Sequence, residues 1–143
     1  MQKITILFIG LILSFSSFSQ TVGDTVIANN AANLKVKVLY FHITDRCNTC
    51  RSIEVNVRKT ILENFKTQLD SGIVNLYILN CELPANKVIA EKYYAYGSTF
   101  AITTYKDGKE LTTEDLSNWA FKKAPKQEVF VSELKDKINE LLK

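Results

Sequence analysis

Cysteine, proline, glycine and histidine are all scarce in this chain of 143 residues, at three, two, five and one. Each shortage excludes something. So little glycine and proline, beside 46% hydrophobic and 23% charged residues, argues against a disordered chain and for one domain with a real core. Three cysteines are too few and too unevenly spread for a small secreted domain stapled by structural bridges. With a single histidine and no second Cys-x-x-Cys, a zinc site on Cys47 and Cys50 has only Cys81 and His42 to complete it. A net charge of +3 without a dense Lys/Arg block gives no footprint for nucleic acid. There is no internal repeat and no low-complexity tract.

What is present begins with a leader-like N-terminus. Lys3 is followed by an apolar run over residues 4–13, too short to span a bilayer comfortably. Ser17 and Ser19 then offer small residues at −3 and −1, which predicts a signal peptide over 1–19 and cleavage before Gln20. An uncleaved anchor is the alternative, but Ser14, Ser16 and Ser17 interrupt the run. No cysteine lies near the cleavage point, which speaks against a lipoprotein. The expectation is an exported protein, periplasmic or extracellular, with no membrane span after signal removal, in a compartment where disulfides persist. Residues 20–33 read as a linker, with a weak edge-strand signal at 25–27, and 34–143 as the domain.

Along that domain the hydrophobic period changes in a recognisable order. Residues 35–42 alternate and then turn continuously apolar, as a strand entering the middle of a sheet does. Ile53, Val57, Ile61, Phe65 and Leu69 predict one helix of about six turns from Cys47 to the stop at Gly72, with Asp45 as its cap. Residues 73–80 are a second strand, parallel to the first. Pro84 opens a helix over 85–94 with Val88 and Ile89 inward. Residues 99–105 and 109–113 form a hairpin about Asp107-Gly108. Trp119 and Phe121 pack over the sheet edge, and Phe130, Leu134, Ile138 and Leu141 mark a C-terminal helix.

At the first strand-to-helix junction stand Cys47 and Cys50. One helical turn brings residues i and i+3 together, so the pair can close a disulfide. Cys47 sits at the positive end of the helix, beside Arg46, and both favour its thiolate. Cys50, on the apolar face, is the more buried and the resolving thiol. The pair reads as a thiol–disulfide redox site, with Cys47 and Cys50 expected to be catalytic. A static disulfide, a metal site and an accident of composition are the competing readings. His42 closes the first strand and is either a proton-transfer or tuning group or a plain polar strand end. Cys81 ends the second strand and is expected on the same side as the pair, as a third thiol or as a small buried residue.

Leu79-Asn80-x-Glu82, Tyr96-Gly97-Ser98-Thr99 and the 105–109 turn, together with Cys-x-x-Cys, resemble the thioredoxin superfamily over nearly the whole domain. Tyr40-Phe41-His42, Arg46 to Cys50, Gly97-Ser98 and Leu116-x-x-Trp119 look like its ArsF-type group of small exported members. The resemblance implies a thioredoxin-like three-layer α/β/α sandwich around a central mixed sheet, with Cys47 attacking and Cys50 resolving. It implies protein dithiols or disulfides as partners, a separate redox partner that recharges the pair, and no cofactor. The chain departs from the family at two places. Arg46 stands where tryptophan is usual, and Ser98 or Thr99 fills the slot of the cis-proline that faces the pair, in a loop expected to be trans. That proline keeps metals off the thiols, so its absence favours the alternative of a non-catalytic module. Such a module would hold a soft metal or a partner through Cys47, Cys50 and Cys81 or His42.

Overall fold

The computed structural model describes residues 24–29 and 32–143; the expected signal peptide and its cleavage point lie outside them. The fold is α/β, a five-stranded mixed sheet between helices, consistent with a thioredoxin-like sandwich. The strands are β1 (Thr25–Ile27), β2 (Val36–His42), β3 (Val74–Asn80), β4 (Thr99–Lys106) and β5 (Lys109–Asp115), and their spatial order is β1-β3-β2-β4-β5. Only β2 and β3 run parallel, paired from Val36 with Val74 to His42 with Asn80. The helices are α1 (Asn48–Asn64), α2 (Lys66–Asp70), α3 (Lys87–Lys92), α4 (Ser117–Lys123) and α5 (Gln127–Leu141).

Strand β2 sits centrally and is buried at every residue but Lys37. Its side chains alternate between faces. Val36, Val38 and Tyr40 enter the larger core with Ile53, Val57 and Ile61 of α1 and Phe130, Leu134 and Ile138 of α5. Leu39 and Phe41 enter a smaller core on the other face, with Ala90 of α3 and Tyr93 just after it. Between β4 and β5, Asp107 and Gly108 both adopt positive φ, 52° and 75°, the conformation a two-residue hairpin turn demands.

The weak edge strand expected at 25–27 is β1, which pairs antiparallel with β3; beside it the Asp24 carboxylate accepts from Asn80 N and Asn86 Nδ2 at 2.7 Å each, and Asn29 Nδ2 donates to Leu69 O at 2.8 Å. Three expectations are corrected. The long helix breaks at Phe65 (φ −126°, ψ 25°), whose ring is 1% exposed. The apolar period survives the break, because Phe65 N still donates to Ile61 O and Leu69 N to Phe65 O. Val88 is exposed while Ala90 is buried, because the segment starts as a 3-10 turn at Pro84–Asn86, whose tighter winding shifts the phase of α3 behind it. Phe121 is exposed, and Trp119 instead packs on Phe130 at 4.5 Å between centroids and on Phe100 at 6.2 Å. Two residues apart on a helix is about 200°, so both rings cannot point inward.

Asp24→Ala leaves the Asn80 amide and one Asn86 donor without their acceptor. It should cost about 1–3 kcal/mol in urea unfolding. An unchanged midpoint would show that the Asp24 bonds do not help hold β1 to the sheet.

Candidate active site

The C-terminal end of β2 delivers the site. Residues 43–46 form a loop, and α1 starts at Asn48 with Cys47 as its N-cap. Cys47 lies at φ −66°, ψ 162°, and its Sγ accepts a hydrogen bond from Cys50 N at 3.1 Å. Asp45 is exposed and caps nothing, because the sulfur takes the donor that a carboxylate was expected to take. Cys47 and Cys50 form a disulfide, with Cα atoms 5.2 Å apart. Cys47 is exposed and Cys50 is 7% exposed, so the first residue of the pair is open to solvent and the second is buried.

Arg46, beside Cys47, is already paired. The Arg46 guanidinium bonds Glu54, whose second oxygen accepts from Arg58 Nε at 2.8 Å. Arg58 in turn donates to Thr25 Oγ1 at 2.8 Å, so the network joins the site loop to β1 through α1. Arg46 therefore does not act on the pair as an isolated charge. Its field is shared with Glu54.

His42 is buried at 2% exposure, on the same face of β2 as Tyr40, with ring centroids 6.4 Å apart. Its Nδ1 lies 3.0 Å from Ile43 O, and a carbonyl can only accept, so Nδ1 carries the proton in that contact. The Tyr40 hydroxyl donates to Cys50 O at 2.8 Å and lies 3.5 Å from Ser98 Oγ. Burial pushes the Tyr40 phenol above its ordinary pKa, against the opposing pull of Ser98 and the Arg46 charge. Thr99 Oγ1 donates to Gly97 O at 3.3 Å, and the described residues hold no cis peptide bond.

Cys81 follows the end of β3, at the same strand-end edge as His42, to whose carbonyl its amide donates at 2.8 Å. But it continues the parity of Tyr77 and Leu79, and its side chain packs on the smaller core with Ala90. The pair belongs to the α1 side. Cys81 lines a cavity of about 240 Å³ with Lys87, Ala90 and Tyr96, and its Sγ lies 3.9 Å from Gly97 O. Burial first, and then the Glu82 charge, raise its thiol pKa. Among the described residues no group of three or more His, Cys, Asp or Glu is arranged to hold a metal, so Cys47, Cys50 and Cys81 do not assemble as a ligand set. No described helix is long and apolar enough to cross a membrane.

The loop before the pair is tied down by β3. Glu82 accepts from Thr44 N at 2.8 Å, Asn80 Nδ2 donates to Thr44 Oγ1 at 3.0 Å, and Glu82 N donates to Asn80 Oδ1 at 3.0 Å. The bonds from Thr44 hold the Glu82 carboxyl below its ordinary pKa. Sequence reasoning missed Tyr40, Glu54 and Thr44 as parts of the site. A tyrosine at an inward strand position, seven residues before Cys47, was the one signal of the three that the sequence carried. No family model matches the chain, and neither a curated protein nor a solved structure does.

The lowered pKa of Glu82 has a pH consequence. A depressed carboxylate contributes stability that is present above its unfolded value, 4.5, and is lost as pH falls through the folded one. Glu82→Gln should thus be less stable than the parent at pH 7, with the difference closing below pH 4.5. Thermal melts across that range check it, and a gap independent of pH would show that the Thr44 bond does not favour the charged form. Cys81→Ser should leave the disulfide equilibrium of the pair within about twofold in a glutathione titration, since no bond joins it to the pair.

Proposed function

We propose that this chain is an exported thiol–disulfide oxidoreductase of the thioredoxin superfamily, cycling Cys47 and Cys50 between disulfide and dithiol. The observation that carries the reading is the asymmetry of the pair. An exposed sulfur caps a helix beside a buried one, at the end of a central strand. The roles follow from access and from electrostatics. Cys47 is the sulfur an incoming thiolate can reach, and as a leaving or attacking group it is stabilised by the Cys50 N–H and the helix end. Cys50 resolves.

In the oxidising direction a substrate thiolate attacks Cys47 Sγ. The Sγ–Sγ bond breaks, and its electron pair goes to Cys50, which takes a proton. A second substrate thiolate attacks the mixed disulfide, closing the substrate's disulfide and expelling Cys47 as thiolate. The two electrons gained by the pair leave to a separate redox partner. The same steps reversed reduce a substrate disulfide. Protein dithiols or disulfides are the substrates this serves, and the leader-like residues 1–19 support a periplasmic or extracellular site of action. The metal-holding alternative gains no support from the donors near the pair.

A redox titration followed by thiol alkylation tests the reading. One reversible two-electron couple should appear, and Cys47→Ser should abolish it. Persistence of the couple in Cys47→Ser would overturn the assignment. In the reduced protein, Cys47 should alkylate with an apparent pKa below the ordinary thiol value of about 8.5. Cys50→Ser should accumulate disulfide-linked adducts through Cys47, because the thiol that releases them is gone.

A further inference from the structure

The ring of Tyr40 lies in the larger core, 1% exposed, where phenylalanine would pack equally well. Its hydroxyl is what phenylalanine lacks, and it points at the disulfide turn. Oη donates to the Cys50 carbonyl at 2.8 Å. That carbonyl lies inside α1 and has the helix's own i to i+4 donor, so the fold does not need Tyr40 to satisfy it. A phenol has one proton. That proton goes to Cys50, so the 3.5 Å contact with Ser98 Oγ, longer than an ordinary O–H···O bond, is a weak one that only the serine's proton can make. A directed chain runs from Ser98 O–H to Tyr40 O–H to Cys50 C=O, crossing from the loop before β4 to the helix that carries the pair.

We propose, resting on the disulfide-exchange reading above, that Tyr40 is a positioning residue that holds the Cys50 backbone in its disulfide geometry and couples Ser98 to the redox state of the pair. The hydrogen bond is present in the oxidised form. Reduction moves the two sulfurs from bonding distance to van der Waals contact, which loosens the turn that the bond braces. In a glutathione buffer, two glutathione thiols become one glutathione disulfide for each Cys47–Cys50 bond opened, with two electrons and two protons passing to the pair. Whatever stabilises only the oxidised form enters that equilibrium directly.

The test is the glutathione equilibrium of the full chain and of Tyr40→Phe, Ser98→Ala and the double variant. Tyr40→Phe should shift it about fivefold toward dithiol, about 20 mV for a two-electron couple at about 30 mV per tenfold. Ser98→Ala should shift it the same way by less, and the double variant should match Tyr40→Phe alone. Amide hydrogen exchange at residues 97–99 should quicken on reduction of the parent, and lose that redox dependence in Tyr40→Phe. A purely structural tyrosine would lower the melting temperature of both redox forms equally and leave the equilibrium within twofold, which would overturn the role. Full additivity of the two substitutions would do the same. Should Tyr40→Phe not fold, Ser98→Ala carries the test alone on a half-buried loop, and an unchanged equilibrium in it would overturn the coupling. A parent chain without any reversible couple would overturn both this inference and the exchange reading. An intact couple insensitive to Tyr40 and Ser98 would remove this inference only.

Discussion

A strand covered on both faces must send alternate side chains into two different cores, and β2 is that strand here. It lies between β3 and β4 and hydrogen-bonds to both. Even positions meet α1 and α5, and odd positions meet the α3 side. Its register is fixed by this, since a slip of one residue would exchange the contents of both cores. Everything at its C-terminal end inherits that precision. Tyr40 and His42 are even and face the helix that carries the pair. Cys81 continues the odd positions of β3 and faces the smaller core.

The site adds a local economy of donors to that frame. The start of a helix leaves backbone N–H groups without partners, and sulfur is a weak acceptor until it is charged. Placing Cys47 at the cap gives one such N–H a partner now and a better one once the sulfur becomes thiolate. Glu54 meanwhile sits between Arg46 and Arg58 and bonds both, so the cation next to Cys47 is part of a network rather than a mobile counter-charge. Exposed ion pairs contribute little to stability. The effect of this one is on where the guanidinium points.

The larger pattern is legible in the sequence because it is periodic. The apolar turn of residues 38–41, the parallel return at Val74–Asn80, the Asp107-Gly108 turn and the Phe130, Leu134, Ile138 stripe are each visible in one dimension. The hidden features break a period without marking it, or depend on another part of the chain. Phe65 leaves helical geometry while keeping its place in the i, i+4 row. Pro84 announces a helix but not the 3-10 winding that turns Val88 outward. The positions of Cys47 and Cys50 are readable from spacing. The face of Cys81 is readable from parity only where alternation is weighed above the strand-end rule. The partners of Tyr40, Thr44 and Arg46 are tertiary and no window shows them.

Thr44 ties the loop before the pair to the sheet. Its amide bonds Glu82 and its hydroxyl bonds Asn80, at the end of β3, while Asp24 clamps Asn80 from the far side. The rim beside the exposed sulfur is thus stitched to the sheet instead of hanging from it. A stitched rim adapts little when something approaches. In the exchange proposed above, whatever bending the approach to Cys47 requires would fall to the visiting chain rather than to this rim.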